Sequence, residues 1–128
     1  MIQTVLLVDD DPAIRVLGEM SFTAVGRWRT VVASSGFEAL SLASRIPVDV
    51  IVLDMEMPGL DGLATLRQLR LAPQTANTPI VFLTASVTRH DVARYLEAGA
   101  DGVIAKPFHP MTLPQHLQRV VDGEVCVA

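Results

Sequence analysis

Five short apolar runs recur along the chain, and each is followed by a segment with the apolar spacing of a helix. The runs are unbroken rather than alternating, which is typical of strands that are buried on both faces. A strand–helix unit repeated in this way predicts a parallel sheet covered by helices on both sides, because crossovers between parallel strands are right-handed. The predicted strands are 4–8, 30–33, 48–53, 80–83 and 103–105.

The first helix has the clearest start and stop signals. Asp11 is predicted as its N-cap, Pro12 as its first helical residue, and Gly26 as its stop. Its residues predicted to face the core are Ile14, Leu17 and Val25.

Apolar spacing predicts four further helices. The second spans 37–45, and the fifth spans 113–121 with Thr112 as N-cap and Pro114 in its first turn. Asp61 and Gly62 are predicted to form the turn and cap before the third helix, and Gly99 to end the fourth. The core-facing or helix-marking apolar residues are Ala39, Leu40 and Ala43; Leu63, Leu66 and Leu69; and Val92 and Leu96.

Length and composition favour a single domain over 1–123, followed by a short, loose tail over 124–128. Half of the residues are hydrophobic, which excludes a disordered chain, and the apolar runs are too short to span a membrane. No leader pattern follows Met1, and the single Cys126 cannot form an internal disulfide, so a cytoplasmic protein is expected. A net charge of −4 argues against nucleic-acid binding.

Polar residues follow four of the predicted strands. They are Asp9 and Asp10, Asp54, Thr84, and Lys106. Ligands of open parallel sheets bind beyond the carboxyl ends of the strands, so these side chains are expected to converge. Clustered carboxylates raise one another's pKa, and Mg²⁺ relieves that cost with the carboxylate, carbonyl and water ligands it prefers.

Such a site suits phosphoryl transfer, which depends on positioning and on neutralising negative charge. Asp54 is the expected nucleophile and would form an acyl phosphate. Mg²⁺ and Lys106 would neutralise the phosphoryl oxygens, and the Thr84 hydroxyl would donate a hydrogen bond to one of them.

Four segments of the chain, LLVDDDPAIR, VLDMEMPGLDG, FLTA and EAGADGVIAKPF, resemble the receiver domains of two-component response regulators. The resemblance covers residues 4–121 and implies a flavodoxin-like (βα)5 fold with strand order 2-1-3-4-5. It implies that Asp54 is the phosphoacceptor and that Asp9, Asp10, Asp54 and the Glu56 backbone carbonyl bind Mg²⁺. It also implies that Thr84 and Lys106 contact the phosphoryl group, and that the Lys106–Pro107 bond is cis.

The same resemblance implies a phosphoryl donor, either a histidine kinase or a histidine phosphotransfer protein. A downstream protein is expected on the face formed by helix four, strand five and helix five, with Arg89, Arg94 and, if it faces outward, Tyr95 as candidate contacts. The domain would assist its own phosphorylation and dephosphorylation without being a conventional turnover enzyme. Neither nucleic acid nor a membrane is an expected partner.

The chain departs from the family at the residue three places before the lysine. Many receivers have Tyr or Phe there, as a ring that moves inward on phosphorylation, whereas this chain has Val103. Tyr95 on the preceding helix is the nearest aromatic residue, with its face undecided. Glu56 and Ser86 occupy two positions that flank the phosphoryl group in the family.

Three other families of function share parts of this pattern. A phosphatase of the haloacid dehalogenase type would use Asp9 and Asp11, but Pro12–Ala13 does not continue its signature. A flavodoxin-like electron carrier would need a phosphate-binding loop after the first strand, where three aspartates would repel the phosphate. A receiver-like module that binds partners without phosphorylation is disfavoured by the intact Asp54, Thr84 and Lys106.

Overall fold

The computed structural model describes residues 1–128, and its sheet is the predicted one. The strands are β1 (Thr4–Val8), β2 (Arg29–Ala33), β3 (Val50–Asp54), β4 (Ile80–Thr84) and β5 (Gly102–Ala105). The helices are α1 (Pro12–Met20), α2 (Gly36–Arg45), α3 (Gly62–Leu71), α4 (Arg89–Ala98) and α5 (Leu113–Val121). All strand pairs are parallel, in the order β2-β1-β3-β4-β5, which confirms the predicted fold class.

Two apolar cores lie on the two faces of the sheet. Side chains alternate along each strand, so Ile51 and Leu53 of β3 face one core while Val50 and Val52 face the other. The first core also contains residues of α2, α3 and α4, and the second contains residues of α5 and the segment that follows α1. No helix is both long enough and apolar enough to cross a membrane.

Helix α1 contacts the sheet through a different face from the predicted one. The helix ends at Met20, continues as a π-helical turn over Ser21–Val25, and stops at Gly26 as predicted. The assignment of Leu17 and Val25 to the core is wrong, because both are exposed, whereas Phe22 is fully buried.

The physical reason for that shift lies at Gly18 and in the π turn. Leu7 of β1 reaches so close that a Cβ on Gly18 would lie 2.6 Å from it, so the interface centres on Gly18 and Leu17 turns outward. The π turn then adds a residue and brings Phe22 inward. The α1 face, an apolar surface, is left exposed beside the end of β1; its residues are Pro12, Ala13, Val16, Leu17 and Met20.

The helix caps agree with the sequence except at one residue. Asp11 accepts from the Ala13 amide at 2.9 Å and Asp61 from the Ala64 amide at 2.8 Å. Thr112 is the N-cap residue of α5 as predicted, but its side chain makes no capping hydrogen bond. Its backbone is already helical, and its hydroxyl donates to the His109 carbonyl at 3.4 Å instead.

Tyr95 rather than Leu96 is the buried residue of the second turn of α4. Leu96 is exposed, while Tyr95 is 2% exposed and its ring centroid lies 5.3 Å from that of Phe82 on β4. Both residues have helical spacing from Val92, and the aromatic one takes the inward position. Tyr95 is therefore a core residue, which answers the question left open by the sequence. Gly99 ends the helix with a φ of 115°, as predicted.

The tail is not loose. Its last three residues, 126–128, run parallel to β5 and pair with the outer edge of that strand. The Val103 amide donates to the Cys126 carbonyl at 2.8 Å, and the Ala128 amide donates to the Val103 carbonyl at 2.9 Å. These bonds give partners to groups that an open sheet edge would leave to solvent. Five residues are too few for the apolar pattern to have predicted this pairing.

Arg70 joins two loops at the end of the sheet opposite the polar strand ends. Its Nη1 donates to the carbonyls of Thr75 at 3.1 Å and Thr78 at 2.6 Å, and its Nη2 to the Gly99 carbonyl at 3.0 Å. Nη2 also lies 3.0 Å from Asp101 Oδ2 in an ion pair. The planar guanidinium donates in several fixed directions, which an ammonium cannot reproduce.

We expect Arg70→Lys to lower the free energy of unfolding by about 2 kcal/mol, because the carbonyls of Thr75, Thr78 and Gly99 would lose a shared donor, and the first two bonds are partly buried. Urea unfolding monitored by circular dichroism measures this change. Arg67→Lys, on the exposed side of the same helix, is the matched control and should change stability by less than about 0.5 kcal/mol. Equal effects of the two substitutions would show that the Arg70 contacts contribute nothing specific.

Candidate functional site

The ends of four strands bring the predicted polar residues to one place. Asp54 closes β3, Thr84 closes β4, Asp9 follows β1 directly, and Lys106 follows β5. Parallel register aligns these ends, with Asp54 opposite Leu83 and Thr84 opposite Ala105. They line a cavity of about 360 Å³ with, in addition, Asp10, Asp11, Met55, Glu56 and Ala85. Every predicted phosphoacceptor, phosphoryl-contacting and metal-ligand residue therefore lies at this cavity, whereas Ser86 lines the cavity beside it.

Lys106 bridges the two buried carboxylates of the site. Its Nζ lies 2.9 Å from Asp9 Oδ2 and 3.0 Å from Asp54 Oδ1. Asp9 is fully buried and Asp54 is 5% exposed, so both carboxylates depend on protein partners rather than on water. The peptide bond that joins Lys106 to Pro107 is cis, as predicted.

One ammonium does not balance the three carboxylates. Asp9, Asp10 and Asp54 each offer an oxygen, and these oxygens lie within 4.8 Å of one another. Three negative charges against one positive charge leave an excess equal to the charge of a divalent cation. Hard carboxylate oxygens at an open cavity are the ligands that Mg²⁺ prefers. The donor set therefore fits that ion.

Burial and charge shift two pKa values at the site. Burial raises the pKa of Asp54 to about 6 and the charge of Asp9 adds to this, although the hydrogen bond from Lys106 opposes it. Burial alone would lower the pKa of Lys106, but its hydrogen bonds to Asp9 and Asp54 outweigh that effect and raise it. Lys106 therefore stays positively charged at neutral pH, where Asp54 is mostly ionised.

The loop after β1 is held by contacts that present its carboxylates to the cavity. Asp9 Oδ1 accepts from the Asp11 amide at 2.9 Å, and Asp11 in turn caps α1. Arg15, one turn into α1, donates from Nη1 to the Asp9 carbonyl at 2.8 Å. Sequence reasoning missed Arg15. The signal was available, because helical side chains point back toward the N-terminus.

The residues around Thr84 and Glu56 complete the rim. The Ser86 amide donates to Thr84 Oγ1 at 3.1 Å, and the Glu56 amide donates to Asp54 Oδ1 at 3.4 Å. Glu56 is exposed, and its carboxylate makes no ion pair. Sequence reasoning also missed Asp91, whose carboxylate accepts a hydrogen bond from the Ser86 hydroxyl. No local signal marked that pair, since it joins a loop to a helix.

We expect the Asp54 carboxyl of the metal-free protein to titrate near pH 6, which carbon-13 NMR of the side chain measures directly. The folded-state pKa lies above the ordinary value of 3.8, so the folded form binds more protons between these two values. Its contribution therefore makes the metal-free protein less stable as pH rises from 4 to 6. Asp54→Asn should remove this part of the pH dependence. A midpoint near 4 would contradict the burial argument.

Comparison with known protein families gives a match over most of the chain. The profile of the response regulator receiver domain matches residues 5–118. A nitrate/nitrite response regulator homolog of Haemophilus influenzae is 39% identical over 97% of this chain and 59% of its own length. The Streptomyces coelicolor transcriptional regulatory protein AfsQ1 is 38% identical over 92% of this chain and 51% of its own length. The chain thus spans about half the length of the curated relatives it matches.

Solved structures of similar proteins cover the whole domain. Chemotaxis protein CheY4 of Vibrio cholerae superposes with a TM-score of 0.87 at 34% identity, over 94% of this chain and 99% of its own. The receiver domain of a sensor histidine kinase from Pseudomonas aeruginosa has a TM-score of 0.82 at 32% identity, over 95% of this chain and 99% of its own. That structure has a magnesium ion coordinated in its active-site cleft.

Proposed function

The chain belongs to the response regulator receiver domain family, and from this premise we propose that Asp54 is its phosphoacceptor. The observation that carries the proposal is that the Lys106 ammonium, which lines the cavity, forms ion pairs with both Asp9 and Asp54. Because the chain belongs to the receiver family, the phosphatase and the flavodoxin-like electron carrier are excluded as alternatives. The remaining alternative, a receiver-like module that is never phosphorylated, is tested directly below.

The acidic residues of the cavity are the proposed magnesium ligands. Asp9, Asp10 and Asp54 would hold Mg²⁺ together with the backbone carbonyl of Glu56. Their excess negative charge and the closeness of their oxygens support this assignment. Bound Mg²⁺ supplies positive charge next to the phosphoryl oxygens, where an acidic site would otherwise repel them.

The protein's own residues supply the remaining steps. An Asp54 carboxylate oxygen forms a bond to phosphorus as the bond from phosphorus to the donor breaks, and the leaving group takes that electron pair. Lys106 stays protonated and turns toward a phosphoryl oxygen, with Asp9 as its second partner. The Thr84 hydroxyl oxygen already accepts from the Ser86 amide, and its proton is free to donate to another phosphoryl oxygen. Phosphorylation and later hydrolysis both act on this chain, so turnover of an external substrate is not part of the proposal.

We expect acetyl phosphate with Mg²⁺ to add one phosphoryl group to the protein, and we expect Asp54→Asn or EDTA to abolish the addition. Intact-protein mass spectrometry measures the added mass. Asp101→Asn, at the opposite end of the sheet, is the control and should label normally. Equal labelling of Asp54→Asn would exclude Asp54 as the acceptor, and absence of labelling in the unmodified protein would support a module that is never phosphorylated.

Receiver domains work with histidine kinases, and we propose a histidine kinase or a histidine phosphotransfer protein as the donor. This phosphoryl donor is proposed for the domain alone.

The relatives of this chain are longer than it is, and they include a DNA-binding response regulator of Mycolicibacterium smegmatis, of which this chain covers 48%. We propose that the present domain does not itself bind nucleic acid, which its net charge of −4 supports. We also propose a cytoplasmic location, because the chain belongs to the receiver family.

Two surfaces beside the cavity affect how a phosphoryl donor approaches Asp54: one repels anionic donors, and the other is apolar and can bind a protein. Glu56 places an exposed, unpaired carboxylate on the rim, two residues beyond the acceptor. On the other side, the α1 face adjoins the cavity, because Pro12 follows Asp11 directly. Val16 is 58% exposed and Met20 61% exposed on that face. We propose that the protein donor docks on the α1 face, and that this binding outweighs the repulsion from Glu56, which a small anionic donor must overcome.

Two substitutions should separate these surfaces. Two charges about 8 Å apart repel by about 2 kcal/mol at an effective dielectric of about 20, and salt reduces this. Glu56→Gln should therefore speed labelling by acetyl phosphate severalfold at low salt, with a smaller effect on transfer from a phosphorylated kinase. Val16→Glu should slow transfer from the kinase and leave the acetyl phosphate rate unchanged. An unchanged or slower acetyl phosphate rate for Glu56→Gln would contradict the repulsion account, and normal kinase transfer to Val16→Glu would exclude docking on α1.

The output surface proposed here is the face of α4, β5 and α5. Arg89 and Arg94 are exposed on α4 and remain candidates for partner contact. Tyr95, the third candidate on that helix, is buried and is withdrawn from the surface. The paired tail covers the outer edge of β5, so contact on this face would involve the helices and the tail.

A further inference from the structure

Two hydrogen bonds connect Thr84 to helix α4. Thr84 Oγ1 accepts from the Ser86 amide at 3.1 Å, and the Ser86 hydroxyl donates to Asp91 Oδ2. Thr84 lines the acceptor cavity, whereas Asp91 lies in the first turn of α4. A continuous polar path therefore runs from the Thr84 hydroxyl, the proposed donor to the phosphoryl group, to helix α4 on the proposed output face.

The Asp91 carboxylate is not used to cap its own helix. Thr88 is the N-cap, and its hydroxyl oxygen accepts from the Asp91 amide at 3.2 Å. In a reciprocal capping box the carboxylate would return to the backbone amide of the N-cap. Here it accepts from Ser86 instead and lies 3.7 Å from Arg94 Nη2. The Ser86 hydrogen bond lowers the pKa of Asp91, so the carboxylate is ionised at neutral pH.

Helix α4 has a second attachment to the strand that carries Thr84. The Tyr95 ring packs on Phe82, which lies two residues before Thr84 on β4. Val103, opposite Phe82 on β5, belongs to the same core. Tyr95 from α4 thus brings the aromatic ring to the core where β5 contributes only a valine.

Space for a movement of α4 exists beside this attachment. A cavity of about 540 Å³ separates α4 from the loop that follows Asp54. Its lining residues are Met55, Glu56, Met57, Pro58 and Asp61 on one side, and Ser86, Asp91, Arg94 and Tyr95 on the other. A shift of the first turns of α4 toward that loop would enter open space rather than a packed core.

We propose that Asp91 is a positioning residue that couples Thr84 to α4 through Ser86. When the Thr84 hydroxyl moves to donate to a phosphoryl oxygen, the Ser86 amide follows its acceptor, and the Ser86 hydroxyl pulls on Asp91. The first turn of α4 then shifts, and Tyr95 shifts with it. The signal leaves the site by this polar link, in a chain whose Val103 has no ring to move. This inference rests on the proposed function.

The test compares amide NMR shifts between the free protein and its complex with beryllofluoride and Mg²⁺. The unmodified protein should show shifts both at Thr84 and Lys106 and over residues 92–98. In Asp91→Ala, the shifts at Thr84 and Lys106 should remain. In Ser86→Ala, Asp91→Ala and the double variant, the shifts over 92–98 should fall by about fivefold, because losing one hydrogen bond weakens an equilibrium by about that factor. The double variant should lose no more than either single variant, because all three remove the same link.

Glu97→Gln is the matched control, since Glu97 is an exposed acid of the same helix outside this network. It should leave all shifts unchanged. Full α4 shifts in Ser86→Ala or Asp91→Ala would overturn the proposal, as would their absence from the unmodified complex. Phosphoryl labelling of each variant at Asp54 separates the two failures. If the proteins are labelled normally but the variants keep their full α4 shifts, only the proposed role of Asp91 is excluded. If the unmodified protein is not labelled, the proposed function is excluded and this inference with it.

Discussion

The crowding of three carboxylates around one ammonium is the constraint on which the rest of the site depends. Asp9 and Asp54 are buried, and each is within 3.0 Å of Lys106 Nζ. Parallel pairing of β1, β3 and β4, with β5 beside them, forces these groups together, whatever their mutual repulsion. The remaining negative charge makes a divalent cation favourable. When no metal is bound, burial raises the pKa of Asp54 above that of an ordinary aspartate, and the charge of Asp9 adds to this effect.

The sheet and the polar cavity at its carboxyl end could be predicted from the sequence because both follow from local and additive signals. Unbroken apolar runs indicate buried parallel strands. A polar residue directly after such a run therefore lies at the carboxyl end of its strand, where the sheet binds ligands. The Asp11 and Asp61 caps are equally local. The failures arise where packing between distant elements decides. Gly18 admits Leu7 and turns Leu17 outward, and the tail pairs with β5 although its own pattern is too short to indicate a strand.

The same distinction separates the proposed acceptor site from its proposed readout. Asp54, Thr84 and Lys106 are identified by position alone, whereas the Ser86–Asp91 contact and the Tyr95–Phe82 contact join segments that approach only after folding. The valine at position 103 shows that the aromatic ring common at this place in the family is missing, but the sequence alone does not indicate which residue takes its place. In the folded protein, the ring comes from α4 and the polar link comes from the loop after β4. Helix α4 therefore combines the proposed partner surface with both attachments to the strand that carries Thr84.

The central claim is that Asp54 accepts a phosphoryl group only when a divalent cation balances the acidic edge. Fluorine NMR of beryllofluoride, a mimic of the phosphoryl group, tests this most directly when protein is titrated with Mg²⁺. Bound fluoride signals should appear only when both Mg²⁺ and Asp54 are present, and Asp10→Asn should raise the Mg²⁺ concentration that is required. Bound signals of equal strength in EDTA, or in Asp54→Asn, would contradict the account.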